Sequence, residues 1–188
     1  MGSVRRVFNS PIPDKYMSIF RLLHRHHQDD TFLRNFIFGV EDSLVSTVGL
    51  LAGVATADLT GRAILTTGIV LIVVEGFSMG IGSFVTEETT EEMTGSTPHP
   101  LLALKGGLIM LFSYIVAGFI PLAPYLFLRG YPAILTSVIS SLIGLWLLGY
   151  STAIWYHRPR PIRRATRMFL LGGFAVSIGM LIGNLFHL

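Results

Sequence analysis

The sequence predicts an all-α integral membrane protein with five transmembrane helices, and three observations carry that expectation. Apolar residues fill 51% of the 188 positions and charged ones only 13%, against about 25% charged in ordinary soluble domains. Five apolar stretches each approach the ~20 residues that a helix needs to cross ~30 Å of hydrocarbon. Those stretches are continuous rather than alternating, and too long for strands, which argues against a barrel.

The elements follow in order. Residues 1–33 read as a cytoplasmic N-terminal segment and residues 34–188 as the five-helix transmembrane domain. Met1–Ser10 is polar and has no apolar core before Pro11 and Pro13, so no signal peptide is expected there. Residues 14–30, DKYMSIFRLLHRHHQDD, mix Tyr16, Ile19, Phe20, Leu22 and Leu23 with charged positions, the pattern of a short amphipathic helix lying on the membrane interface. The spans are expected at Phe36–Thr56, Ala63–Val85, Leu102–Leu128, Pro132–Tyr156 and Met168–Phe186. The first and third loops are short, so the helices they join are antiparallel hairpins. The second, about residues 87–101, is acidic and then turn-rich, with Gly95, Ser96, Pro98 and Pro100. Gly49/Gly53 and Gly76/Gly80 have the GxxxG spacing that lets membrane helices approach closely. Pro121 and Pro124 bracket a kink in the third span, freeing carbonyls that a cavity or a neighbour must satisfy.

Basic residues set the orientation. All 14 lysines and arginines except Arg62 and Arg129 fall on the side of the N-terminus and of the second and fourth loops, so that side is cytoplasmic and the C-terminus lies outside. The arginines at 158–167 anchor their loop to anionic lipid. The chain has no cysteine, which excludes disulfides and thiolate metal sites. It also lacks a nucleophile elbow, an HExxH, a P-loop and a serine triad, so no enzyme is expected, nor a nucleic-acid partner or a tightly bound cofactor.

The chemistry lies in acids placed where acids are costly. Glu41 and Asp42 sit in the first span and Glu75 in the second, and a carboxylate at membrane depth usually has a partner or a task. Neighbours on a helix point about 100° apart, so one of Glu41 and Asp42 faces any pathway. With a rise of about 1.5 Å per residue, Asp42 lies roughly 12 Å beyond Arg34, Met79 roughly 12 Å beyond Glu87, and Glu75 roughly 18 Å beyond it. Asp42 and Met79 therefore share a level, with Glu75 one turn away on the Met79 face. Two hard oxygens and a thioether suit a divalent transition ion better than calcium or magnesium. Below them, Glu87, Glu88, Glu91 and Glu92 repeat at i, i+4, where like charges repel unless a cation intervenes. They read either as a metal-gathering mouth or as a solvated helix end. His24, His26, His27, Asp29, Asp30 and His99 on the same side are further candidate ligands.

These residues resemble the vacuolar iron transporter family. RNFIFGVEDSLVSTVGLLAGV (34–54) is similar to that family's first helix, VVEGFSMGIGSFVTEETTEE (73–92) to its second, AGFIPLAPYLF (117–127) to its third and LLGGFAVSIGMLIG (170–183) to its last. The resemblance implies a homodimer with the ion path on its two-fold axis, exporting ferrous iron or manganese from the cytoplasm in exchange for protons. It makes Asp42 and Met79 translocation ligands, has Glu75 join them or relay protons, and matches Glu87, Glu88, Glu91 and Glu92 to the start of a cytoplasmic metal-binding domain. Here only about residues 86–101 stand where family members with that domain carry a long Glu- and Met-rich insertion, so this is a short form. The family's Asp-Gly is Asp42-Ser43 in this chain. The expected location is a multi-pass membrane protein of a prokaryotic plasma membrane, or of the vacuolar membrane in a eukaryote. The competing expectation is a non-transporting binding or scaffold protein of the same fold.

Overall fold

The structure is a computed structural model that describes residues 14–93, 99–157 and 159–186, with side chains in the first helix from residue 31 on. Its elements are helices α1 (Asp14–Thr56), α2 (Gly61–Met93), α3 (Pro100–Leu122), α4 (Pro124–Phe127), α5 (Tyr131–Trp155) and α6 (Pro161–Leu185). No strand occurs among the described residues. Five segments are long and apolar enough to cross a membrane: Thr31–Thr56 of α1, then α2, α3, α5 and α6. The expected all-α membrane fold is thus present.

Local chemistry explains where the helices begin. The Thr60 hydroxyl accepts the Ala63 N–H at 3.3 Å, capping the start of α2. Pro100, Pro132 and Pro161 sit in the first turns of α3, α5 and α6, where a missing N–H costs nothing. Asp58 (φ 59°) carries the chain out of α1 in the left-handed region, a conformation that Asp tolerates better than most residues.

Three boundaries differ from hydropathy. Residues 14–30 are helical and run without a break into the first span. The acidic run 87–92 likewise continues α2 to Met93. The third span ends at Leu122, and after Ala123 the chain resumes as the single turn α4. Where the third span breaks, a neighbouring helix reaches its backbone: the Ser137 hydroxyl of α5 donates to the Pro121 carbonyl at 2.7 Å.

α1 is the centre of the bundle. Half of its apolar window is buried, against 22% for α6 and 28% for α2 and α5. Leu44, Val48 and Leu51 on α1 are all but inaccessible and pack with Ile72, Leu122, Leu145 and Val176 of the surrounding helices. Outward side chains such as Phe77, Val116, Leu147 and Phe174 are apolar and exposed, the surface that lipid covers.

The glycine pairs find their partners within the chain itself. A Cβ on Gly53 would lie 2.6 Å from the Gly179 carbonyl oxygen, and one on Gly179 or Gly183 would land on the Gly49 or Gly53 carbonyl. The GxxxG of α1 therefore meets a second GxxxG on the parallel helix α6. Gly80 meets Gly107 of α3 in the same way, with 2.6 Å from a Gly107 Cβ to the Gly80 carbonyl oxygen.

Candidate metal-translocation site

Tyr114, fully buried on α3, ties the central helices together. Its hydroxyl donates to Glu75 Oε2 on α2, and the Ser46 hydroxyl of α1 lies 2.7 Å from it. With the Tyr114 proton committed to Glu75, Ser46 is the donor to Tyr114. The Ser43 hydroxyl donates to the Tyr114 backbone carbonyl at 2.6 Å. The result is a chain of donors, Ser46 to Tyr114 to Glu75, in which each bond polarises the next.

This chain places the other candidates. Ser46 and Glu75 touch one phenol oxygen, so they share a level. Asp42 is one turn before Ser46 on α1, and Met79 one turn after Glu75 on the antiparallel α2, each on the same helical face as its neighbour. By helical spacing Asp42 and Met79 therefore fall at one level, nearer the α2–α3 connection. Both are half-buried. Asp42 and Glu75 lie close enough for their charges to repel, and the field of Asp42 also reaches Tyr114.

Beyond Glu75, away from Asp42, a cavity of about 600 Å³ opens between α1, α2 and α6. Its wall includes the glycines of the α1–α6 crossing and the apolar side chains of Leu50, Leu71 and Ile178. Glu75 is the one ionisable side chain among the described residues lining it. The bare backbone at Gly49, Gly53, Gly179 and Gly183 both brings α1 against α6 and leaves this space open. Glu75 thus stands at the junction between the Asp42–Met79 level and the cavity.

Glu41 turns away from this group. It lines a separate groove with Arg164 and Arg167 of α6, whose charges attract it. Of the two adjacent acids in the first span, Asp42 is the one that faces Glu75.

The four glutamates at the end of α2 stand roughly 18 Å or more from Glu75 along the helix. Glu87 pairs with Arg34 of α1 at 3.5 Å. Glu91 accepts the His99 backbone N–H at 2.7 Å and lies 3.9 Å from His99 Nδ1. Two of the four acids thus have protein partners, Arg34 on α1 and His99 at the start of α3. Glu88 is half-buried and Glu92 exposed. Among the described residues no three His, Asp or Glu side chains converge as a ready metal centre. The side chains of His24, His26, His27, Asp29 and Asp30 lie outside the described residues.

Tyr114 and Ser46 are members of this hydrogen-bonded group that motif patterns pass over. The signal available was a tyrosine in mid-span, away from the interfacial belt where tyrosine is common. By helical rise it sits roughly 21 Å from Pro100, close to the depth of Glu75.

The model of the VIT family matches residues 33–100 and 90–184, two segments that meet at the connection between α2 and α3. The chain is 21% identical to "Vacuolar iron transporter 1" of Arabidopsis thaliana over 224 residues, covering 87% of this chain and 89% of that protein. It is 24% identical to "Vacuolar iron transporter" of Centaurea cyanus, covering 82% and 89%. It is 27% identical to "Vacuolar iron transporter homolog 1" of Oryza sativa subsp. japonica, covering 80% and 72%. The first alignment is longer than the chain itself, so that relative carries stretches this chain lacks.

Proposed function

Because the chain belongs to the VIT family, we propose that it moves a divalent transition metal, ferrous iron or manganese, out of the cytoplasm in exchange for protons. The observation that carries this reading is the pair Asp42 and Glu75. They are two carboxylates at membrane depth on adjoining helices, one turn apart, with Glu75 held by Tyr114 at the inner end of a cavity. Carboxylates in low dielectric exchange a proton for a cation readily. The pair therefore suits an ion that arrives as protons leave.

Each residue has a distinct part. Asp42 supplies a hard oxygen and Met79 a polarisable sulfur at the same level, a donor set that fits ferrous iron or manganese better than calcium. Glu75 takes the ion next, or passes the counter-proton toward the cavity, while Tyr114 keeps its carboxylate aimed. Among the described residues one protomer offers these three side chains at this depth. A second copy across a two-fold axis would double them to the six donors that an octahedral ion accepts, which supports a homodimer with the pathway on its axis. Glu87, Glu88, Glu91 and Glu92 then gather cations at the mouth, with Arg34 and His99 holding two of them until an ion displaces those contacts.

Purified protein in sealed liposomes tests this. Ferrous iron uptake driven by a pH gradient is expected in the parent and lost in Asp42→Ala and Met79→Ala, and unchanged uptake in both variants would sink the proposal. A second reading has one observation in its favour: the mouth glutamates are engaged by Arg34 and His99 and form no ready centre among the described residues. A non-transporting binding or scaffold protein of this fold would show no flux and no stabilisation by metal.

A further inference from the structure

Arg163, Arg164 and Arg167 lie at i, i+1 and i+4 in the first turns of α6, and Arg160, the residue that leads into the helix, lines the same groove. Like charges four apart on a helix repel one another, so the cluster is unfavourable without an anion. Together with Glu41 it walls a groove of about 1310 Å³ between α1 and α6. Glu41 provides one negative charge, directed at Arg164 and Arg167. Four cations against one carboxylate leave the groove strongly positive.

Three further features define what would neutralise it. All four cations are arginine, whose planar fork pairs with phosphate through two parallel hydrogen bonds, where lysine offers a point charge. The groove lies at the first turns of α6 (Pro161–Leu185), where the partial positive charge of the helix start adds to theirs. The arginines lead on, at i+3 and i+4 from Arg167, into Leu170 and Leu171, which line the same groove and are exposed. Charge gives way to apolar surface along one line, as a headgroup gives way to acyl chains.

We propose that this groove binds a phosphate-bearing anion, and specifically the phosphodiester headgroup of an anionic membrane lipid, with its chains along Leu170 and Leu171. General attraction of basic loops to a charged leaflet needs only net charge; the shared groove and its apolar continuation define a site. It is separate from the Asp42–Glu75 pair and stands whether or not that pair carries metal.

The test uses the full chain in a neutral detergent, with the thermal unfolding midpoint followed as phosphatidylglycerol, phosphatidylcholine or inorganic phosphate is added. Phosphatidylglycerol is expected to raise the midpoint saturably, and the other two to leave it unchanged. In Arg160→Gln/Arg163→Gln, which spares the two arginines facing Glu41, half-stabilisation should need about 25-fold more phosphatidylglycerol, from about fivefold for each arginine. Arg62→Gln/Arg129→Gln removes the same charge elsewhere and should titrate like the parent. An equal response to phosphatidylcholine would overturn the proposal, because a neutral lipid would then suffice. An equal response to inorganic phosphate would overturn the lipid as occupant and assign the groove to a soluble phosphate. Matching titrations for the parent and Arg160→Gln/Arg163→Gln would remove the groove from the account altogether.

Discussion

Tyr114→Phe removes a single oxygen from the middle of the bundle and leaves the ring that packs there. That oxygen donates to Glu75 and accepts from Ser46, so both lose a partner. A hydrogen bond to an ionised acceptor contributes about 1.5–3 kcal/mol and a neutral one about 0.5–1.5 kcal/mol. The expected loss of stability is therefore about 2–4.5 kcal/mol with Glu75 ionised and about 1–3 kcal/mol with it protonated. Unfolding in mixed micelles measures the total. A double-mutant cycle with Glu75→Gln, which keeps an acceptor and removes the charge, isolates the charge-assisted part, expected at about 1 kcal/mol. Groups that orient a metal ligand typically change affinity about 10–100-fold when removed, so ferrous iron binding should weaken by at least the lower figure. A change below about 0.5 kcal/mol, the range of an ordinary surface substitution, would refute the idea that Tyr114 holds Glu75. So would iron binding equal to that of the parent.

Other expectations follow from the same contacts. Gly179→Val sets a branched side chain against the Gly49 carbonyl and should destabilise by about 1–3 kcal/mol or more, while Gly173→Val, where a Cβ meets nothing within 4 Å, should be near neutral in the same unfolding assay. Ser137→Ala orphans the Pro121 carbonyl and should cost about 1–3 kcal/mol, measurable as a lower unfolding midpoint with transport retained. Metal binding at carboxylates requires their deprotonated form. Affinity should therefore fall as pH is lowered, and titration calorimetry in buffers of different ionisation enthalpy should register protons released per metal bound.

Much of the fold was legible because a bilayer imposes one length scale. Apolar runs near 20 residues mark the spans, and the structure has helices at all five. The ends were less legible, since hydropathy reports where lipid begins and not where hydrogen bonding stops. Residues 14–30 and 87–92 are polar yet helical, so α1 and α2 overrun their apolar stretches. The third span was expected to reach Leu128, but Pro121 and Pro124 divide it at Ala123.

The candidate site was legible in part for an electrostatic reason. Asp42 and Glu75 are anomalies of hydropathy, and counting rise per residue brings Met79 level with Asp42. Tyr114 gives no such anomaly, because a tyrosine in an apolar run reads as packing. Glu41 and Asp42 could not be told apart until the parallel crossing of α1 on α6 was known, since that crossing brings Arg164 and Arg167 to Glu41. The partners of Glu87 and Glu91 were equally hidden, because they depend on which helix ends converge at the mouth.

Anomalous scattering from crystals soaked in manganese, or in ferrous iron under reducing conditions, tests the central claim most directly. The account predicts a peak bounded by Asp42, Met79 and Glu75, absent in Asp42→Ala. A peak confined to Glu87, Glu88, Glu91 and Glu92, or none near Asp42, would contradict it.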